Sequence, residues 1–263
     1  MLIAGVVLLV VAVIAVFVAR SERGKARKAT ATETLSCGDV ATLSSGVAAE
    51  VGAGSFSQRC EAVGTAAPGP DGLVDAPESQ VDAVWVRTKV IHKYWVMEET
   101  RQDGKTTRTR REREETVSEN ESTTAFQLTD ATGSVVIRPD GADVDRPEKV
   151  VDRFEARSAM NQAGEGFLSS LLRVGNDTGT LGFQHQEWVI RPGEELYVQG
   201  EVSDRTGPLV FAKPEDKGDY LISTRSEDEI VAGAERNGKI AVAVAGVAGV
   251  VGIVLLIAGA VTA

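Results

Sequence analysis

Two long apolar stretches lie at the two ends of the chain, and every Lys, Arg, Asp and Glu lies between them. The first stretch runs from Leu2 to Ala19 and the second from Ile240 to Val261. About 20 apolar residues in a helix span the ~30 Å hydrocarbon core of a bilayer, and a helix that is apolar on every face has no side for water. We therefore expect a transmembrane helix over residues 1–19, a second over residues 239–263, and an extramembrane domain over residues 35–238.

Basic residues flank both apolar stretches on the side of the domain. Residues 20–28 contain five Arg and Lys, and Arg236 and Lys239 precede the second stretch. Basic residues beside a span favour the cytoplasmic side, whereas a secretory signal peptide carries its basic residues before the apolar run. The pattern predicts an integral membrane protein with two spans, a basic juxtamembrane linker over residues 20–34, a cytoplasmic domain, and both termini outside.

Alternation of apolar and polar residues dominates the domain and indicates β-strands. The clearest region is Val81–Glu98, where Val84, Val86 and Val90 share one face. Turn residues divide Ser122–Arg138 into a predicted pair of strands. Further strands are predicted at Phe56–Ala66, Leu73–Pro77, Gln184–Ile190, Leu196–Val202, Leu209–Ala212 and Tyr220–Ser223.

Four segments favour short helices. Cys37–Glu50 has apolar residues at helical spacing with Gly38 or Asp39 as its cap, and Pro147–Ala156 begins with proline at a first helical position. Glu165–Val174 has one apolar stripe, and Ser226–Glu235 begins with a capping box. Because strands and helices do not alternate regularly, we predict an α+β fold, a mostly antiparallel and β-rich domain with a few short helices.

One segment is dense in charge of both signs. Gln102–Thr107 predicts a turn centred on Asp103-Gly104, and Arg108–Glu115 follows it with the sequence RTRREREE. A mixed-charge run is usually a solvated surface, so we interpret it as the return strand of a long hairpin. The alternative is a basic recognition patch, which the interleaved glutamates weaken.

Composition excludes some partners. The formal net charge of the 263 residues is −10, which disfavours nucleic acid because phosphate binding needs Lys and Arg. The acidity indicates either a soluble surface or, as a second possibility, adaptation to high salt. The expected partners are the lipid bilayer and a protein.

Few residues suggest a catalytic or metal-binding site. The two cysteines and two histidines have no spacing typical of a zinc site. Cys60 and His92 form a conceivable nucleophile–base pair, although a buried strand cysteine explains Cys60 more simply, and His185 beside Trp188 suggests strand packing. Asp130, Asp140, Asp143 and Asp145 are either oxygen ligands for a hard cation or turn formers. We predict no catalytic, cofactor-binding or metal-binding residues.

The order of the segments resembles a known family. The matching residues are FQLTDATGSVVIRPDGADVD (Phe126–Asp145), VVDRFE (Val150–Glu155), QEWVIRPGEELYVQGEV (Gln186–Val202) and GPLVFAKPEDKGDYLIST (Gly207–Thr224). They resemble the GIDE domain, also called the beside-a-membrane domain, of the mitochondrial membrane-anchored RING ubiquitin ligase and its prokaryotic relatives. The resemblance extends over about Glu61–Ala263, and the chain departs from it near Ala83, where relatives often carry cysteine.

This resemblance implies a domain between two transmembrane helices and a link to ubiquitin transfer. The family's ligases carry a RING whose Cys and His residues bind zinc, and this sequence has no such set. The relative's domain faces the intermembrane space, whereas the basic flanks here predict the cytoplasm.

Three functions follow from these observations. The leading hypothesis is a membrane-anchored interaction or scaffold module without catalytic machinery. The alternatives are a ubiquitin-ligase-like protein that needs a RING supplied in trans and a membrane enzyme that uses Cys60 or Cys37 as nucleophile.

Overall fold

The protein is built mainly from β-strands. The computed structural model describes residues 2–29, 33–102, 105–156, 178–216 and 218–261. The described residues form thirteen strands and three helices, so the β-rich prediction is confirmed. Within the described residues the elements are α1 (Leu2–Ala29), α2 (Cys37–Val51), β1 (Ser57–Ala67), β2 (Val74–Asp75), β3 (Asp82–Ala83), β4 (Trp85–Gln102), β5 (Lys105–Glu121), β6 (Phe126–Asp130), β7 (Gly133–Ile137), β8 (Asp143–Asp145), β9 (Glu148–Ala156), β10 (Thr178–Ile190), β11 (Glu195–Ser203), β12 (Val210–Ala212), β13 (Leu221–Ser223) and α3 (Glu227–Val261).

Five strands close into a barrel. The strand order is β1-β6-β7-β12-β11, and β11 pairs back onto β1 from Ser57↔Ser203 to Thr65↔Glu195. β7 and β12 are parallel, and the other neighbouring pairs of the barrel are antiparallel. This is the connectivity of a five-stranded Greek-key barrel of the OB type. The sequence predicted its strands but not their closure.

Large side chains fill the barrel and exclude water. The residues that are at most 1% exposed include Phe126, Leu128, Ile137, Val198 and Phe211. They come from strands on all sides of the barrel, so burying them requires that the barrel be closed. At about 1.5–3 kcal/mol for each fully buried large apolar side chain, this core is the main source of stability.

Helix α2 covers the barrel and is anchored by an aspartate. Its cap is Ser36, two positions before Gly38 and three before Asp39, which were the predicted caps, and Asp39 completes a capping box with Ser36. The Asp130 carboxylate, at the β6–β7 turn, accepts the backbone N–H of Cys37 at 2.7 Å and both donors of Thr132. Burial alone would raise the pKa of Asp130, but these hydrogen bonds outweigh it and lower the pKa.

A second sheet of order β5-β4-β10-β9 is antiparallel throughout. β4 and β5 form a long hairpin whose pairing runs from Arg87↔Glu121 to Gln102↔Lys105, so the return-strand interpretation of the charged segment is confirmed. The predicted turn residues Asp103 and Gly104 lie outside the described residues. At the barrel end of this sheet Trp85 pairs with Ile190, and both side chains lie in the barrel core, which joins the two sheets firmly.

The predicted helix at Pro147–Ala156 is wrong. The segment is β9, an edge strand that pairs with β10. Its Val150, Val151 and Phe154 suit a strand as β-branched and aromatic residues do, and pairing with β10 satisfies the backbone in place of helical hydrogen bonds. The predicted helix at Glu165–Val174 lies outside the described residues.

A buried glutamate fixes the small β2–β3 hairpin on the second sheet. Glu187 in β10 has no exposed surface, and its carboxylate accepts the backbone N–H groups of Glu78 at 2.8 Å and Ser79 at 2.9 Å. A buried carboxylate is tolerated only when it is hydrogen-bonded. Glu187 is therefore a structural residue.

The two terminal helices pack against each other. Ala15 and Ala19 of α1 and Ala241 and Ala248 of α3 are buried, and a Cβ on Gly249 would lie 4.0 Å from that of Ala12. In α3, residues Lys239–Ile257 are long and apolar enough to cross a membrane, whereas Val6–Phe17 in α1 is a shorter apolar stretch. The described residues thus contain one helix that meets the length criterion, not the two expected.

We expect Asp130→Ala to lower the free energy of unfolding by about 2 kcal/mol, because four donors at the start of α2 and in the β6–β7 turn lose their acceptor. Urea unfolding of the full chain in detergent measures this. The matched control is Asp140→Ala at an exposed turn, which should change stability little.

Since the pKa of Asp130 is lowered in the fold, its contribution is present above about pH 4 and is lost as the pH falls further. The two chains should therefore converge in acid, and a difference that persists there would contradict this role.

Candidate functional site

The two cysteines are buried in the barrel core. Cys37 is 1% exposed and Cys60 is not exposed. Burial, together with the carboxylates of Asp130 beside Cys37 and Glu61 beside Cys60, raises the pKa of each thiol to about 12. A thiolate is the reactive form of cysteine, so neither thiol is suited to nucleophilic attack near neutral pH.

The second member of the conceivable catalytic pair lies in the other sheet. His92 of β4 stacks between Tyr94 and Phe183, and its Nε2 lies 2.9 Å from the Thr180 hydroxyl. Burial lowers the pKa of His92, which Glu115 partly opposes. Cys60 belongs to the barrel, so the structure does not bring the two residues together as nucleophile and base.

The four aspartates considered as cation ligands have separate places. Asp130 anchors α2, whereas the Asp145 carboxylate accepts the Ser223 hydroxyl at 3.0 Å and pairs with Arg225. Asp143 is exposed on β8, and Asp140 is exposed in the turn before it. In the described part of the chain no group of three or more His, Cys, Asp or Glu residues could hold a metal ion.

His185 packs on the second sheet with acidic neighbours. Its Nδ1 lies 3.2 Å from Glu78 and its Nε2 lies 3.8 Å from Glu155. Arg153 contacts the same Glu78 carboxylate at 3.0 Å. These contacts connect the β2–β3 hairpin with β9 and β10, which agrees with the packing role expected for His185.

The β4–β5 hairpin extends beyond the sheet that supports it. Within the described residues β10 pairs with β4 only as far as Val96, so in this part of the chain Met97–Gln102 and Lys105–Arg110 form a two-stranded ribbon, which we call the arm. It is about 20 Å long at the usual rise per strand residue. The ion pair Arg108–Glu99 (2.5 Å) lies on the arm, and Glu98 contacts Arg111 and Arg113 at its base.

A cleft of about 550 Å³ opens beside the seam between β7 and β12. A volume between about 300 and 1,000 Å³ is typical of ligand sites. The cleft combines apolar surface with one arginine, two aspartates and two threonines. Its lining residues are Pro70, Asp71, Thr123, Thr124, Ala125, Val136, Arg138, Asp140, Pro208 and Val210.

Arg138 is the cation of the cleft, and the sequence analysis does not predict it as a site residue. Its backbone N–H donates to the Phe211 carbonyl at 2.9 Å, and its carbonyl accepts the Tyr220 hydroxyl at 2.7 Å. Burial raises the pKa of that tyrosine, so it stays protonated and donates. The available signal was the turn sequence RPDG, whose Pro and Gly mark a fixed bend directly after a strand.

Comparison with known proteins gives one family. The model of the GIDE family, described as E3 Ubiquitin ligase, matches residues 96–258. This range covers well over half of the chain, from the middle of β4 to near the end of α3. No curated protein and no solved structure matches the chain.

We expect both native thiols to react slowly with an alkylating reagent in the folded protein at every pH between about 6 and 9, without reaching a plateau in that range, because their pKa values are raised to about 12. Unfolding in urea should accelerate both reactions. The matched control is Thr116→Cys on the exposed strand β5, whose labelling should rise through the usual thiol range near pH 8.5. Rapid labelling of Cys60 or Cys37 near pH 6 would support the cysteine enzyme instead.

Proposed function

The chain belongs to the GIDE family, and we propose that it is a membrane-anchored interaction module whose extramembrane domain binds a protein partner beside the bilayer. The observation that carries this proposal is the arm. Isolated two-stranded ribbons are only marginally stable in water, and this ribbon exposes Arg101, Arg108 and Arg110 beyond the sheet. Such a surface suits contact with another protein.

Two helices anchor the module in this proposal. Large apolar side chains of both terminal helices face outward, with Phe17 78% exposed and Val247 68% exposed. Apolar surface of this extent is unfavourable in water and suits lipid. Because α1 packs along α3, both helices would cross the same bilayer, and the basic flanks at Arg20–Lys28 and Arg236 favour a cytoplasmic domain.

Ubiquitin transfer is the second candidate, and the description of the matched family favours it. Both cysteines are buried in the barrel and both histidines lie in the second sheet, and within the described residues no group of such side chains could hold a structural zinc. Transfer would therefore require a RING supplied by a partner. An assay with purified ubiquitin, activating and conjugating enzymes tests this, since ligation by the chain alone would replace the module hypothesis.

The membrane topology is tested with the variant Thr116→Cys and a membrane-impermeant maleimide. We expect labelling only after lysis, because the domain should face the cytoplasm. The native cysteines are buried and should contribute little signal, so the unsubstituted chain is the control. Labelling in intact cells would reverse the topology, and release of the chain by alkaline washing of membranes would contradict the anchors.

Partner binding is tested with a photo-crosslinking residue at Thr106 of the arm in native host cells. We expect a discrete protein adduct that weakens several-fold in the variant Arg108→Ala/Arg111→Ala, because both arginines project from the exposed hairpin. The matched control Arg153→Ala removes an ion-paired arginine of β9 and should leave the adduct unchanged. The absence of any arm adduct, or an adduct that is insensitive to the arginines, would contradict the role given to the arm.

A further inference from the structure

The cleft beside Arg138 lies where two connections of the barrel meet. The connection from β1 to β6 supplies Pro70, Asp71 and Thr123, and the connection from β11 to β12 supplies Pro208. In OB-type barrels the corresponding two loops and the adjoining strands form the ligand surface. We propose that this cleft holds an extended peptide segment of a protein partner, with an acidic side chain of that segment bound to Arg138. The inference rests on the proposed interaction function and adds a second contact site to the arm.

Arg138 is held in place before any ligand arrives. Both backbone polar groups are hydrogen-bonded, to the Phe211 carbonyl and the Tyr220 hydroxyl, and Pro139 and Gly141 fix the turn that follows. Its exposed guanidinium makes one weak contact, 3.3 Å from Nη1 to the Thr206 hydroxyl. Because the backbone is already fixed, binding has to order only the arginine side chain and not the turn that carries it.

The charge of Arg138 is not neutralised by a carboxylate within the described residues. Most arginines of the domain are ion-paired, whereas Arg138 is not, although Asp71 and Asp140 line the same cleft. Arginine binds carboxylates in a planar, two-pronged geometry, so an acidic side chain is the complementary ligand group. The paired arginines are Arg59, Arg87, Arg108, Arg111, Arg113, Arg153, Arg191, Arg205 and Arg225.

The rest of the lining favours a peptide over other ligands of such barrels. Single-stranded nucleic acid needs a basic groove and aromatic stacking surfaces, but this cleft has one cation, two carboxylates and no aromatic side chain. Thr123 and Thr124 can hydrogen-bond a peptide backbone, Val136 and Val210 provide apolar contact, and Asp71 and Asp140 can accept N–H groups or a basic side chain.

One lip of the cleft is fixed by a glycine. A Cβ on Gly69 would lie 2.0 Å from the Ala125 carbonyl oxygen, so this position accepts only glycine without movement of the backbone. The contact holds Pro70 and Asp71 beside Thr123–Ala125. The position of this lip is therefore fixed by the backbone packing of the fold.

The test is selection of short random peptides displayed on phage against the full chain in detergent. We expect enrichment of peptides with Asp or Glu at one fixed position. Synthetic copies should bind about tenfold or more weakly to Arg138→Gln and Arg138→Glu, since a charge-assisted pair is lost, and Arg138→Glu should itself select peptides with Lys or Arg at that position. Thr123→Trp should block the cleft without touching the arginine.

The matched control is Arg146→Glu, an exposed arginine outside both the cleft and the arm for which no ion pair is formed within the described residues; it should leave the selected peptides unchanged. Thermal unfolding verifies that each variant is folded. Failure to enrich any peptide, or enrichment that is indifferent to Arg138, overturns the inference. Binding of a single-stranded oligonucleotide that depends on Arg138 also overturns it, in favour of nucleic acid.

The arm adduct at Thr106 does not involve the cleft, so its persistence in Arg138→Glu separates failure of this inference from failure of the proposed function.

Discussion

The pairing of β1 with β11 is the constraint on which the domain depends. Nine consecutive residue pairs join segments that are more than 130 residues apart in the chain, from Ser57↔Ser203 to Thr65↔Glu195. Asp204 extends this contact, since its carboxylate accepts the backbone N–H groups of Gly54 and Phe56 at 3.1 and 2.9 Å. Closing so long a loop has an entropic cost, which the buried core of the closed barrel offsets. The second sheet and the arm belong to the segment inserted between these two strands, and the cleft combines residues of that segment with Pro208 and Val210, which follow β11.

The insertion remains rigid because the two sheets share core residues. Trp85 and Ile190 are opposite each other where β4 and β10 enter and leave the barrel, and neither has exposed surface. The turn after Ile190 is fixed to β1, because Gly193 donates its N–H to the Ala66 carbonyl at 2.7 Å. A partner bound to the arm would therefore be connected to the barrel through packed core residues and not through a flexible linker.

Local patterns allowed the prediction of most strands but not of their partners. Alternation and turn residues placed β4, β6, β7, β10 and β11 well, since these strands have one buried face. β9 was taken for a helix because its initial proline and sparse apolar residues favour both states locally, and only pairing with β10 decides between them. Closure of the barrel and burial of Glu187 depend on contacts far apart in sequence, so no local pattern indicates them. The same holds for Arg138, whose environment is created by three separate connections.

Burial and charge together explain why binding is favoured over chemistry. Catalytic cysteines and carboxylates need exposed positions with shifted pKa values matched to neutral pH, but here burial moves the pKa of both thiols away from it. Glu187 is fully occupied by backbone donors. The exposed arginines include those of the arm and Arg138 of the cleft, on a chain of net charge −10. An acidic segment is attracted where such arginines are exposed. The negative charge of the remaining surface repels other anionic partners. In the proposed function, this distribution of charge would favour an acidic segment of a partner at these two places.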